Sequence, residues 1–188
     1  MASDAPVPDS IVPDDKNWTW VLDRPCPECG FDASQHSASQ LGAEIRANAA
    51  TWRELLADPR AAQRPNPAQW SALEYGCHVR DVFELFLVRL NLMLTEDAPT
   101  FANWDQDETA LTERYSEQDP GRVSYALAAA AGRLADQFDR VEGAALQRVG
   151  HRTDGAVFTI ESFGLYLLHD PVHHVWDVRR GYDELSAT

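Results

Sequence analysis

Four long stretches of this chain repeat apolar residues three and four positions apart, and that spacing confines it to packed helices. Residues 38–58 place Leu41, Ile45, Ala49, Trp52 and Leu55-Leu56 on one face and stop at Asp58-Pro59. Residues 71–94 carry Leu73, Cys77, Val82, Leu85-Phe86 and Leu90, opened by Ser71 with Glu74 three further on, a capping box. Residues 120–141 repeat Val123, Leu127, Ala130, Leu134 and Phe138 behind Asp119-Pro120. The fourth helix begins near Thr159 and runs to about Arg180, with Pro171 inside it as an expected kink. Between the helices lie a Pro/Arg/Gln loop over 59–69, an irregular 95–107, a short helix near 107–116, and a turn or hairpin over 148–157. No β-branched runs recur between the helices, which disfavours a parallel α/β fold. The expectation is an all-α four-helix bundle.

At 188 residues, with 44% hydrophobic content and six Trp, the chain holds enough apolar mass for one substantial core. Thirty acidic residues against 16 basic give a formal charge of −14, which argues against nucleic acid and anionic membranes as partners. No apolar run approaches the ~20 residues of a membrane-spanning helix. The opening residues are Pro- and Asp-rich and have neither the basic nor the apolar region of a signal peptide. These features predict a cytoplasmic protein whose three cysteines are thiols or ligands. The organisation expected is an N-terminal extended arm over 1–37, carrying a Cys26-Pro27-Glu28-Cys29-Gly30 turn, followed by the bundle over 38–188.

Within the fourth helix the chain reads Leu168-His169-Asp170-Pro171-Val172-His173-His174-Val175-Trp176-Asp177. Folding does not require such polar density on an apolar helix, and ionisable groups in an apolar seam need partners or a metal. Two pairs, His169/His173 and Asp170/His174, have the i, i+4 spacing that lets neighbouring side chains grip one ion. A metal centre needs at least a third ligand, and His78 on the second helix is the natural source.

Trp70-Ser71, then His78 and Asp81, resembles the first metal motif of the DinB-like superfamily, and Asp170 to Val178 is similar to its second. The resemblance covers about residues 38–180 and implies an up-down-down-up bundle with a metal held by three side chains. In its isomerase branch a carboxylate stands four before the motif histidine. Aligning on His174, Asp177 and Val178 makes the triad His78, Asp170 and His174, with His169/His173 as the alternative pair. His173 then becomes a residue that supports a ligand or lies on the surface. Asp81 and Asp177 are implied to accept the remaining N–H of a ligand imidazole.

The resemblance further implies a divalent metal, zinc or nickel first among the candidates. It also implies a low-molecular-weight, mycothiol-like thiol as cosubstrate and a small electrophile as its partner. The activity expected is that of a thiol S-transferase or isomerase in which the metal supports a thiolate. A non-catalytic metal- or ligand-binding bundle and a metal-dependent hydrolase are the alternatives, and a homodimer is compatible with any of them.

The Cys26-x-x-Cys29-Gly30 turn resembles half of a zinc ribbon, with His36 or Cys77 as sequence-level partners and a free thiol or redox pair as the other reading. The polar stretch Asn103-Trp104-Asp105-Gln106-Asp107 is a candidate mouth to the site. His151 and Arg152 are candidates to bind an anionic substrate.

Overall fold

The structure is a computed structural model that describes residue 11 and residues 17–187. The arm expected over the first sixteen residues falls, but for residue 11, outside the described residues. The described helices are α1 (Leu41–Leu56), α2 (Ala72–Thr95), α3 (Gln106–Thr112), α4 (Pro120–Phe138) and α5 (Ile160–Ala187). Three short strands accompany them: β1 (Thr100–Phe101), β2 (Val149–Arg152) and β3 (Val157–Thr159).

The long helices bury the stripes that their spacing predicts. α1 buries Leu41, Ile45, Ala49, Trp52 and Leu56, and α4 buries Val123, Leu127, Leu134 and Phe138. α4 lies closest to α1 and α2, and α5 closes the other side of the bundle against α2 and α1. Caps set the helix starts. Asp119 accepts from the Arg122 N–H ahead of Pro120, and Asp105 accepts from the Glu108 N–H at the head of α3. α5 runs unbroken through Pro171 and seven residues past the expected end at Arg180. Its last turns are held by the Tyr182 hydroxyl, which donates to the Leu55 carbonyl at 2.7 Å.

α2 begins at the predicted capping box. The Ser71 N–H donates to Glu74 Oε2 at 2.9 Å, and the Glu74 N–H donates back to Ser71 Oγ at 3.2 Å. Glu74 is buried and also takes the Arg64 guanidinium, whose Nε donates to Oε2 at 2.9 Å. Burial pushes the carboxyl pKa up, but the Arg64 and Ser71 hydrogen bonds outweigh it and hold the carboxyl below its ordinary value. Stability from this group is therefore present above the unfolded carboxylate pKa and lost as pH falls through the lowered folded value. Arg64→Ala should cost about 2 kcal/mol at neutral pH, less than a fully buried pair because Arg64 is partly exposed. Urea midpoints of the two proteins should converge as pH is lowered through the carboxylate range.

The strands form one small sheet in the order β1-β2-β3. β2 and β3 make the expected hairpin, turning at Gly155 with φ of +96°, and β1 joins in parallel with Thr100 opposite His151. The loop after β1 is anchored by the Asn103 N–H, which donates to Thr153 Oγ1 at 2.9 Å. The sheet thereby holds the 103–107 stretch over the seam between α2 and α5. At the other end of the chain, residues 18–40 form three short 3-10 turns, and the first rests on α5.

Candidate metal centre

His78 sits in the first half of α2, fully buried, with its ring stacked on Trp104 at 5.3 Å and 9°. Across the seam, α5 presents Asp170 and His174. His78 Nε2 lies 3.4 Å from both carboxylate oxygens of Asp170, and His174 Nε2 lies 3.9 Å from Asp170 Oδ1. The three residues bring one ligand atom each to within 4.8 Å of one another. Ligands ~2.1 Å from a shared tetrahedral ion stand roughly 3.4 Å apart. These separations are long for direct hydrogen bonds and suited to a cation between them. Among the described residues the buried Asp170 Oδ1 has no hydrogen-bond partner, an orphan that such a cation would satisfy. Burial would raise the Asp170 pKa, but the imidazoles of His78 and His174 outweigh it and hold the carboxyl well below the carboxylate range. It is thus a ready anionic ligand at neutral pH.

Asp177 lies one turn on, and its Oδ2 is 2.9 Å from His174 Nδ1. This contact fixes the ring so that Nε2 lies on the Asp170 side, the arrangement by which a carboxylate orients a metal-binding histidine. Asp81 sits differently. Its carboxylate takes Arg80 Nε at 2.7 Å and the Tyr115 hydroxyl, while the buried His78 Nδ1 has no hydrogen-bond partner among the described residues. Asp81 therefore braces Arg80 and Tyr115 and makes no hydrogen bond to His78.

The alternative pair faces elsewhere. His169 and His173 turn away from His78 towards the Cys26–Gly30 turn, where they gather with Cys26 and Cys29. His173, expected either to support a ligand or to lie on the surface, is 7% exposed and so is not a surface residue. The partners read for the cysteines lie apart from them: His36 binds Glu44 at 2.8 Å, and the Cys77 thiol faces the Tyr115 carbonyl from inside the core. Burial pushes the Cys77 and Cys29 thiols up to about 12. Burial also draws His169 down to about 4, helped by the neighbouring His173.

A cavity of about 680 Å³ opens beside the triad. Asn103 to Asp107 line it, as expected of a mouth, and so does Arg152. His151, next along β2, is half-buried and falls on the other face of the strand. Arg152 is braced by Asp154 at 2.8 Å and by the Tyr166 hydroxyl at 3.0 Å. Sequence reasoning missed Arg89, a buried cavity residue on the apolar face of α2 between Phe86 and Leu90. Its one hydrogen bond among the described residues goes to the Ala102 carbonyl at 2.7 Å. Burial first, and the charge of Arg152 second, lower its pKa to about 10. A charged residue interrupting the Phe86–Leu90 stripe was the available signal.

The fold has a counterpart among solved structures. YfiT from Bacillus subtilis, described as a probable metal-dependent hydrolase with an unusual four-helix bundle topology, superposes with a TM-score of 0.68 over 94% of each chain. The two are 18% identical, so the likeness speaks to the fold alone. No curated protein matches the chain. The sequence model of one family matches residues 43–178, from the start of α1 through the Asp170–Val178 motif. On that match, the chain belongs to the DinB superfamily.

Proposed function

We propose that this protein is a metal-dependent enzyme whose divalent ion, zinc or nickel, is held by His78, Asp170 and His174, and that it acts as a thiol S-transferase or isomerase. The observation that carries the reading is the orphaned Asp170 oxygen between two imidazoles at the wall of a large cavity. A three-ligand site leaves a coordination position open, and when bound the metal lowers the pKa of a thiol or water placed there. The chain's own residues do the rest. Asp177 holds the His174 imidazole in register, and Trp104 covers His78 on the cavity side. Arg89 and Arg152 gather positive charge in the cavity wall, where a carboxylate on the thiol or electrophile would relieve their mutual repulsion. A volume of about 680 Å³ accommodates a small thiol and its electrophile together. In this reading residues 38–188 form the catalytic bundle, on the up-down-down-up course that the family resemblance implies, and residues 1–37 attach to it.

Hydrolysis is the second reading, favoured by the description of YfiT, and it uses the same ligands. The experiment is a direct comparison on zinc- and nickel-loaded protein. Conjugation of mycothiol or a simpler thiol to a generic electrophile is measured beside hydrolysis of ester and amide substrates. Thiol-dependent turnover that falls on Asp177→Asn supports the transferase. Turnover that ignores added thiol supports the hydrolase, and metal uptake with no turnover of either kind supports a binding module.

A further inference from the structure

The structure carries a second constellation of metal-binding type. Cys26, Cys29, His169 and His173 place one ligand atom each within 4.8 Å of one another. Cys26 Sγ lies 3.7 Å from His173 Nδ1. Sulfur and nitrogen ligands of one tetrahedral zinc, at ~2.3 and ~2.1 Å, stand roughly 3.6 Å apart. Three of the four residues are buried: Cys26 at 2%, His169 at 4% and His173 at 7% exposure. The buried Nε2 of His169 has no hydrogen-bond partner among the described residues.

The surroundings are built for four ligands. The cysteines lie on a tight turn in which the Gly30 N–H donates to the Cys26 carbonyl at 3.0 Å and the Cys26 N–H donates to the Phe31 carbonyl at 2.8 Å. Gly30 has φ of +76°, which favours glycine, and its freedom lets the chain fold back so that both thiols face one centre. Opposite them, His169 and His173 stand one turn apart on α5. His173 Nε2 lies 3.3 Å from Glu28 and 3.8 Å from Asp177, so carboxylates hold the ring nitrogen that faces away from Cys26. The Trp18 ring covers both imidazoles, at 5.3 and 5.0 Å, and the edge of Phe31 closes on His169 at 5.5 Å.

We propose that these four residues form a second metal site, a closed Cys2His2 centre for zinc that fastens the N-terminal turns to α5. Cys-x2-Cys with His-x3-His is the ligand spacing of structural zinc sites, and four protein ligands leave no position for substrate. The site is separate from the His78 centre in both ligands and role. Adjacent residues of α5 divide between them, His169 and His173 to one and Asp170 and His174 to the other. Zinc entry displaces the two thiol protons to solvent, with no redox step.

The test uses the full chain, purified reduced and loaded with zinc or cobalt(II). Zinc content should reach two equivalents, one for each cluster. Cys26→Ser/Cys29→Ser should lose one, and His78→Ala should lose the other. The cobalt protein should show thiolate-to-metal charge transfer that survives His78→Ala and disappears in the cysteine variant. On wild-type protein, zinc should protect Cys26 and Cys29 from alkylation, read by peptide mass, so the result does not depend on the variant folding. A cobalt spectrum without thiolate bands, alkylation indifferent to zinc, or a Cys26–Cys29 disulfide persisting in the reduced, zinc-loaded protein would overturn the proposal.

Discussion

His78→Ala is expected to abolish metal binding at the triad and the activity that depends on it. The imidazole is the ligand that α2 contributes to the cluster, and alanine leaves no metal-binding atom in its place. Asp170 and His174 remain, but two ligands on one helix turn hold an ion far more weakly than three on two helices. At the triad the loss should exceed the roughly 10–100-fold expected for Asp177→Asn, which leaves all three ligands and removes the carboxylate that orients His174. Competition against a chromophoric chelator measures both. His36→Ala serves as the control, because His36 binds Glu44 and lies outside both clusters. Affinity in His78→Ala equal to wild type would refute the triad.

Trp52→Ala should be the most destabilising single change in the core, at about 4 kcal/mol. The indole is 0% exposed on α1, and its removal leaves a void the four helices cannot close without shifting. Trp52→Phe separates volume from polarity. The buried indole N–H has no hydrogen-bond partner among the described residues, and an unsatisfied buried donor costs ~1–3 kcal/mol. Phenylalanine removes that donor while keeping most of the ring, so its cost should be under half that of alanine. Urea denaturation with unchanged m-values would measure both, and equal losses would show that volume does not dominate.

The helices were legible because each carries its own period and caps. Ser71 with Glu74, and Asp119 before Pro120, announce starts that need nothing beyond a few neighbouring residues. What escaped was non-local. β1 is two residues long and exists only by pairing with β2 some fifty positions later. α5 outlasts its expected end partly because Tyr182 reaches back to Leu55 on α1. The polar cluster on α5 showed the same limit. Spacing revealed two i, i+4 pairs, but which pair faces α2 depends on the rotation of α5, and no local pattern reports that. The cysteines were visible as half a site, and their other half lay at the far end of the chain. Arg89 stands out locally only as a charge in an apolar stripe, and its role in the cavity depends on the sheet that brings Arg152 beside it.

Cys26 meets His173 across 147 residues of chain. The turn that carries it is thus placed by contacts that no neighbouring stretch of chain supplies. Trp18, Phe31 and the two thiols all meet α5, through His169 and His173. Closing so long a loop is slow, and it is rewarded only once both ends are ordered. The N-terminal turns and α5 therefore depend on each other for their place in the fold.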